Sequence, residues 1–109
     1  MPKVKHIVMF RLHEQATAAD HQAICDALLA LPATCGVPML APECGTDLRM
    51  AAGQTHPLGP NRHIAWSCTF NSVEEYTAYN TSAAHGSFLA LLKPLLEPGS
   101  RAAIQYEIP

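Results

Sequence analysis

Charged side chains are scarce in this chain. Asp, Glu, Lys and Arg make up 15% of its 109 residues, against 49% hydrophobic residues. A soluble domain averages about 25% charged residues. The shortfall implies that one apolar face is covered by a partner. The formal net charge is −2 and no basic run occurs, which excludes the electrostatic footprint of a nucleic-acid binder. No apolar run approaches the roughly 18 residues that a membrane span needs. The apolar stretch after Lys5 is broken at Arg11 and does not form a secretory leader, so a cytoplasmic location with no membrane partner is expected. Four cysteines are present, without a C-x-x-C pair or the paired histidine spacing of a zinc site. Free buried thiols are expected, with no disulfide framework, no metal and no cofactor.

What is present reads as one domain over 1–109. Val4, His6, Val8, Phe10 and Leu12 alternate with a second set that includes Ile7 and Met9, as in a strand covered on both faces. Thr17 and Asp20 have capping-box spacing, and Ile24, Leu28 and Leu31 form a helical stripe. A helix is predicted over about 18–31, ended by Pro32. Val37 to Cys44 contains Pro38 and Pro42, so it fits only an edge strand or an extended segment. Gly45 and the polar stretch to about residue 61 read as a mobile loop. Ile64, Trp66, Cys68 and Phe70 alternate along a further strand from Arg62. Ser72 and Glu75 form a second capping-box pair for a helix reaching about Asn80. Ser82 caps a third, with stripe Phe88, Leu91, Leu92, Leu95 and Leu96 and a kink expected at Pro94. Ala102, Ile104, Tyr106 and Ile108 alternate as the last strand.

The order β-α-β-β-α-α-β predicts an α+β, ferredoxin-like sheet with helices on one face. The other face would be bare in a monomer. A second copy placed there gives a homodimer through the sheet face, a dimeric α/β barrel.

Val4–Leu12, the Leu31-Pro32 helix end, Phe70–Tyr76, Tyr79, Ala84-His85, Phe88 and Lys93–Leu96 stand in an order and spacing that resembles the stress-responsive dimeric A/B-barrel (Dabb) family. The resemblance covers the chain apart from about 46–61. It implies the dimeric barrel without fixing an activity. One branch of the family, a plant polyketide cyclase, closes a linear polyketide by intramolecular aldol condensation. Its catalytic tyrosine and histidine match Tyr79 and His85, and a pocket histidine matches His6. Relatives commonly carry His-Pro-Ala-His where this chain has Ser82-Ala83-Ala84-His85. The cyclase's third-strand histidine falls on Ile64, with His63 one residue out of register and so on the opposite face.

The chemistry follows from the residue types. A neutral imidazole suits removal of an acidic proton beside a carbonyl. A phenol suits donation to the oxygen that becomes negative. Tyr79, His85 and His6 are therefore the candidate catalytic residues. Val8, Phe10, Ile24, Leu28, Trp66, Phe88 and Ile104 are the expected walls of a cavity for a small apolar or aromatic ligand. The functional expectation is a small-molecule-binding homodimer, in its specific form a cyclase or lyase of polyketide-like or aromatic compounds. Each residue also has a plainer role: His85 as a helix-start residue, Tyr79 and Trp66 as core, and His6 as a satisfied strand histidine. His13, His21 and His56 read as solvated. The corresponding alternative is a non-catalytic stress-responsive dimerisation module. A monooxygenase-like barrel is weaker, because no motif asks for heme.

Overall fold

A computed structural model describes residues 2–50 and 61–109. Its element order is β1 (Lys3–Phe10), α1 (Ala18–Thr34), β2 (Leu40–Thr46), β3 (Ile64–Phe70), α2 (Val73–Asn80), α3 (Ala83–Leu92) and β4 (Ala102–Ile108). The four strands form one antiparallel sheet in the order β2-β3-β1-β4, the α+β ferredoxin-like arrangement. The central part of the expected loop, with Gly53, Pro57, Gly59, Pro60 and the histidine at 56, lies outside the described residues.

Strand alternation sets the layers. Val4, His6, Val8 and Phe10 of β1 and Ile64, Trp66, Cys68 and Phe70 of β3 are buried. Of these, Val8, Phe10 and the four β3 residues pack with Ile24, Leu28 and Leu31 of α1, Tyr79 of α2, and Phe88 and Leu92 of α3. β4 departs from the expected parity. Its register pairs Val8 with Ala103 and Ile7 with Ile104. Ala103 and Gln105 therefore share the helix-facing side with His6 and Val8. Ile104 and Tyr106 share the open side with Ile7 and Met9. Ile104 is 59% exposed and is no wall of an internal cavity. Alternation in β4 marked an apolar face, but that face belongs to the side of the sheet without helices.

Pro32 and Pro94 act differently from expectation, whereas Pro42 takes the edge position its missing donor requires. Pro32 does not end α1, which continues to Thr34. The ring removes one donor, yet the Cys35 N–H closes the last turn onto the Leu31 carbonyl at 2.9 Å, and buried Leu31 anchors it. Gly36, at φ +74°, then takes the left-handed exit from the helix. Pro94 does not kink α3, which stops at Leu92 with Lys93 as its cap. Leu91 is accordingly exposed, while Leu95 and Leu96 are half-buried in the following turns. That segment runs beside the end of β1: the His13 N–H donates to the Leu95 carbonyl and the Glu97 N–H to the Arg11 carbonyl. Pro42 lies in an edge strand, at a shift of register between Leu40 and Glu43. A bulge tolerates the missing donor. The strand runs from Leu40 to Thr46, later than expected, and includes Gly45.

The caps divide. The Thr17–Asp20 box closes in both directions, at 3.1 Å and 2.8 Å. At α2 the Ser72 hydroxyl accepts from the Glu75 N–H, but the Glu75 carboxylate reaches back to the Asn71 N–H rather than to Ser72.

Candidate functional site

The sheet and the α2–α3 corner bring His6, Tyr79 and His85 together. Tyr79 sits near the end of α2 with its ring turned into the core. The Ser82 hydroxyl accepts from the His85 N–H at 3.1 Å and donates to the Tyr79 carbonyl at 2.8 Å, so one side chain fixes the turn between them. The Tyr79 and His85 ring centroids are 4.8 Å apart. His6 approaches from β1, 5.8 Å from Tyr79 and 5.2 Å from Tyr76, with Phe70 completing an aromatic nest. The Gln105 amide donates to His6 Nδ1 at 2.9 Å, which leaves the proton of the neutral ring on Nε2.

Of these rings His6, Tyr79 and His85 line a small hollow with Val8, Phe10, Leu28, Trp66 and Phe88, and with Arg101 at its edge. Its open volume is about 20 Å³. Ile24 is fully buried but belongs to the surrounding core rather than to the lining, and Ile104 is on the other side of the sheet. Arg101 and Gln105 were missed from sequence. Both sit in or beside β4, where the apolar alternation drew attention to the opposite set.

Burial dominates the electrostatics. It holds the His6 imidazole down at about 4, helped by Arg101 and His85. It also lowers the affinity of His85 for a proton; the Asn80 carbonyl opposes this and Arg101 reinforces it. Both imidazoles are neutral at pH 7. Tyr79 is pushed up to about 12 by burial, with the Trp66 indole N–H nearby resisting the rise without closing a hydrogen bond. The phenol thus stays a donor. Among the described residues His85 Nδ1 and Trp66 Nε1 are buried without a hydrogen-bond partner. A neutral imidazole and a protonated phenol in an apolar setting are equipped for proton transfer and oxyanion stabilisation.

A second histidine pair lies elsewhere. His21, expected to be solvated, is half-buried on α1 and meets His63 at the start of β3, Nε2 to Nε2. His13 is also half-buried, with Nδ1 unpartnered. The four cysteines are free thiols; burial pushes Cys44 and Cys68 up to about 12. Among the described residues no helix is long and apolar enough to cross a membrane.

The chain is similar over nearly its whole length to known structures. A dimeric ferredoxin-like protein from Thermobifida fusca is 27% identical, with 98% of this chain and 92% of that one covered and a TM-score of 0.79. A dimeric protein of ferredoxin-like fold from Bacteroides fragilis is 28% identical, with 97% and 96% covered and a TM-score of 0.73. A hydroxynitrile lyase from Passiflora edulis shares the fold at 24% identity, with 99% and 94% covered and a TM-score of 0.81. A comparison with curated proteins finds no match. The pattern of the stress-responsive A/B barrel domain matches residues 4–108. With that pattern spanning almost every residue and the sheet order in agreement, the chain belongs to the stress-responsive A/B barrel (Dabb) family.

Proposed function

We propose that this protein binds a small aromatic or polyketide-like compound and acts on it as a lyase or cyclase, with His85 as base and Tyr79 as donor. The observation that carries this reading is the meeting of the two rings at 4.8 Å in a small, largely buried hollow, with His85 Nδ1 left unpartnered among the described residues. A buried imidazole nitrogen without a partner costs about 1–3 kcal/mol. Such a cost is understandable where the nitrogen serves a ligand. His6, held neutral by burial and oriented by Gln105, supplies a further N–H to the same hollow. Arg101 at the edge gives an anionic group a partner. This favours a ligand that carries a carboxylate beside its ring.

The hollow is narrow for such a ligand. Cavities that take up benzene are nearer about 150 Å³. Binding therefore requires Phe88, Leu89 or Arg101 at the rim to give way. The same narrowness favours the second reading, a non-catalytic dimerisation module whose core is filled by Trp66 and Phe88. Titration with a panel of phenols and phenolic acids, followed by nuclear magnetic resonance, separates the two. Under the first reading phenolic acids bind, His85→Ala and Tyr79→Phe weaken binding, and Arg101→Ala weakens acids more than neutral phenols. Unchanged binding in both ring variants, or none in the parent chain, leaves the module.

The same proposal makes the protein a homodimer through its open sheet face. Relatives of this fold are described as dimeric, and Met9, Ile104 and Tyr106 are large apolar side chains exposed on that face. Four free thiols suit a reducing, cytoplasmic setting.

A further inference from the structure

The His21–His63 pair lies outside the Tyr79–His85 hollow and takes no part in it. Forty-two positions separate the two residues, and the fold brings their rings to a centroid distance of 4.6 Å. Both are held from behind. His21 stands one turn into α1, where the Thr17 carbonyl accepts its backbone N–H at 3.1 Å and its Nδ1–H at 2.9 Å. The second bond fixes the tautomer and aims the Nε2 lone pair outward. His63 precedes β3. Its backbone N–H donates to the Phe10 carbonyl at 3.2 Å, and its own carbonyl accepts from the Asp47 N–H at 2.8 Å. The two Nε2 atoms point at each other in hydrogen-bond contact.

A histidine whose far nitrogen donates to a carbonyl while its near nitrogen presents a lone pair has the arrangement of a metal ligand. We propose that His21 and His63 form a surface site for a borderline divalent metal ion such as Zn²⁺, held by two imidazole nitrogens and completed by water. Imidazole selects Zn²⁺, Cu²⁺ or Ni²⁺, whereas Mg²⁺ prefers oxygen. In the free pair, the His63 proton sits on Nε2 and bonds to the His21 lone pair. On binding, that proton moves to Nδ1 of the same ring. The two rings draw apart to admit the ion, both Nε2 lone pairs then face it, and no net proton is released.

The surroundings suit a labile site. The pair opens on a hollow of about 490 Å³, lined also by Ala16, Gln22, Cys25 and Thr46, with room for water on the ion. Among the described residues no group of three metal-ligating side chains converges. Binding is therefore weaker than in a closed four-ligand site, and the ion exchanges with solvent.

Calorimetric titration of the chelator-treated chain with Zn²⁺, with Mg²⁺ in parallel, tests this. One saturable Zn²⁺ site per chain is expected, with no response to Mg²⁺. His21→Gln and His63→Gln should each weaken Zn²⁺ binding by at least about tenfold, while His13→Gln leaves it unchanged. In the unsubstituted chain, Zn²⁺ should shift the imidazole resonances of His21 and His63, a readout independent of how the variants fold. Absence of saturable Zn²⁺ binding, an equal response to Mg²⁺, or parental affinity in either glutamine variant overturns the site.

Discussion

His6 and His85 illustrate what a buried imidazole does to a small domain. For His6 the folded value is about 4, against about 6.5 in the unfolded chain. Between these values the unfolded state binds a proton that the folded state does not. The contribution of His6 is complete above pH 6.5 and is lost as pH falls toward 4, by up to ~1.4 kcal/mol per pH unit. His85 and His63 are shifted in the same direction and add to the slope. Urea midpoints measured from pH 7 to pH 4 should fall steeply, and His6→Gln should flatten the fall. His85 gives a different expectation. Its buried Nδ1 has no partner, and Phe88, Leu92 and Trp66 surround the same hollow. His85→Phe removes the orphan nitrogen and adds apolar contact, so stability should rise by about 1 kcal/mol while ligand binding is lost. Equilibrium denaturation and ligand titration on the same variant measure both. A loss of stability instead would mean that the histidine is simply structural.

At the level of elements, hydrogen-bond geometry explains what was legible in the sequence. The Thr17–Asp20 box was readable because both partners lie within one turn, and it closes as spaced. Thr17→Ala should cost about 1 kcal/mol in thermal or denaturant unfolding. The prolines were harder, because their effect depends on what else holds the turn. Pro32 is carried by the Cys35 N–H bond to Leu31, whereas Pro94 follows a helix that has already ended. The bulge around Pro42 puts Ala41 at φ +47°, in the left-handed region where a Cβ is strained. Ala41→Gly should relieve it for a net gain of up to ~1 kcal/mol once the greater freedom of the unfolded chain is counted, checked by the same denaturation. The Tyr79–His85 pairing was legible for a similar local reason: six residues and a Ser82-capped turn leave little freedom. His21 and His63 were not, since only the assembled sheet brings α1 against the start of β3. Gln105 and Arg101 were hidden by parity, because the apolar face of β4 turns to the open side of the sheet and its polar positions turn to the helices.

Among the described residues of the whole molecule the helices lie on one side of the sheet, and the composition bears on the other side. Met9, Ile104 and Tyr106 are large apolar side chains exposed there, and Ile7 lies directly across from Ile104 in the β1–β4 register. Lys5, opposite Tyr106, lies toward one end of this patch. In a chain with 15% charged residues, this is where the missing charge would otherwise stand. An apolar strip along two central-to-edge strands is costly in water and invites a self-complementary partner. A two-fold dimer would bury the strip against its own copy, and a charge at its centre would be buried twice. Ile104→Lys should therefore convert a dimer to a monomer in sedimentation equilibrium, with little change in the helix-side core because Ile104 contributes nothing to it. Tyr106→Lys, toward the end of the strip, should weaken association less. If the parent chain sediments as a monomer at micromolar concentration, or if Ile104→Lys remains dimeric, the two copies do not meet through this face. The low charge would then need another partner to explain it.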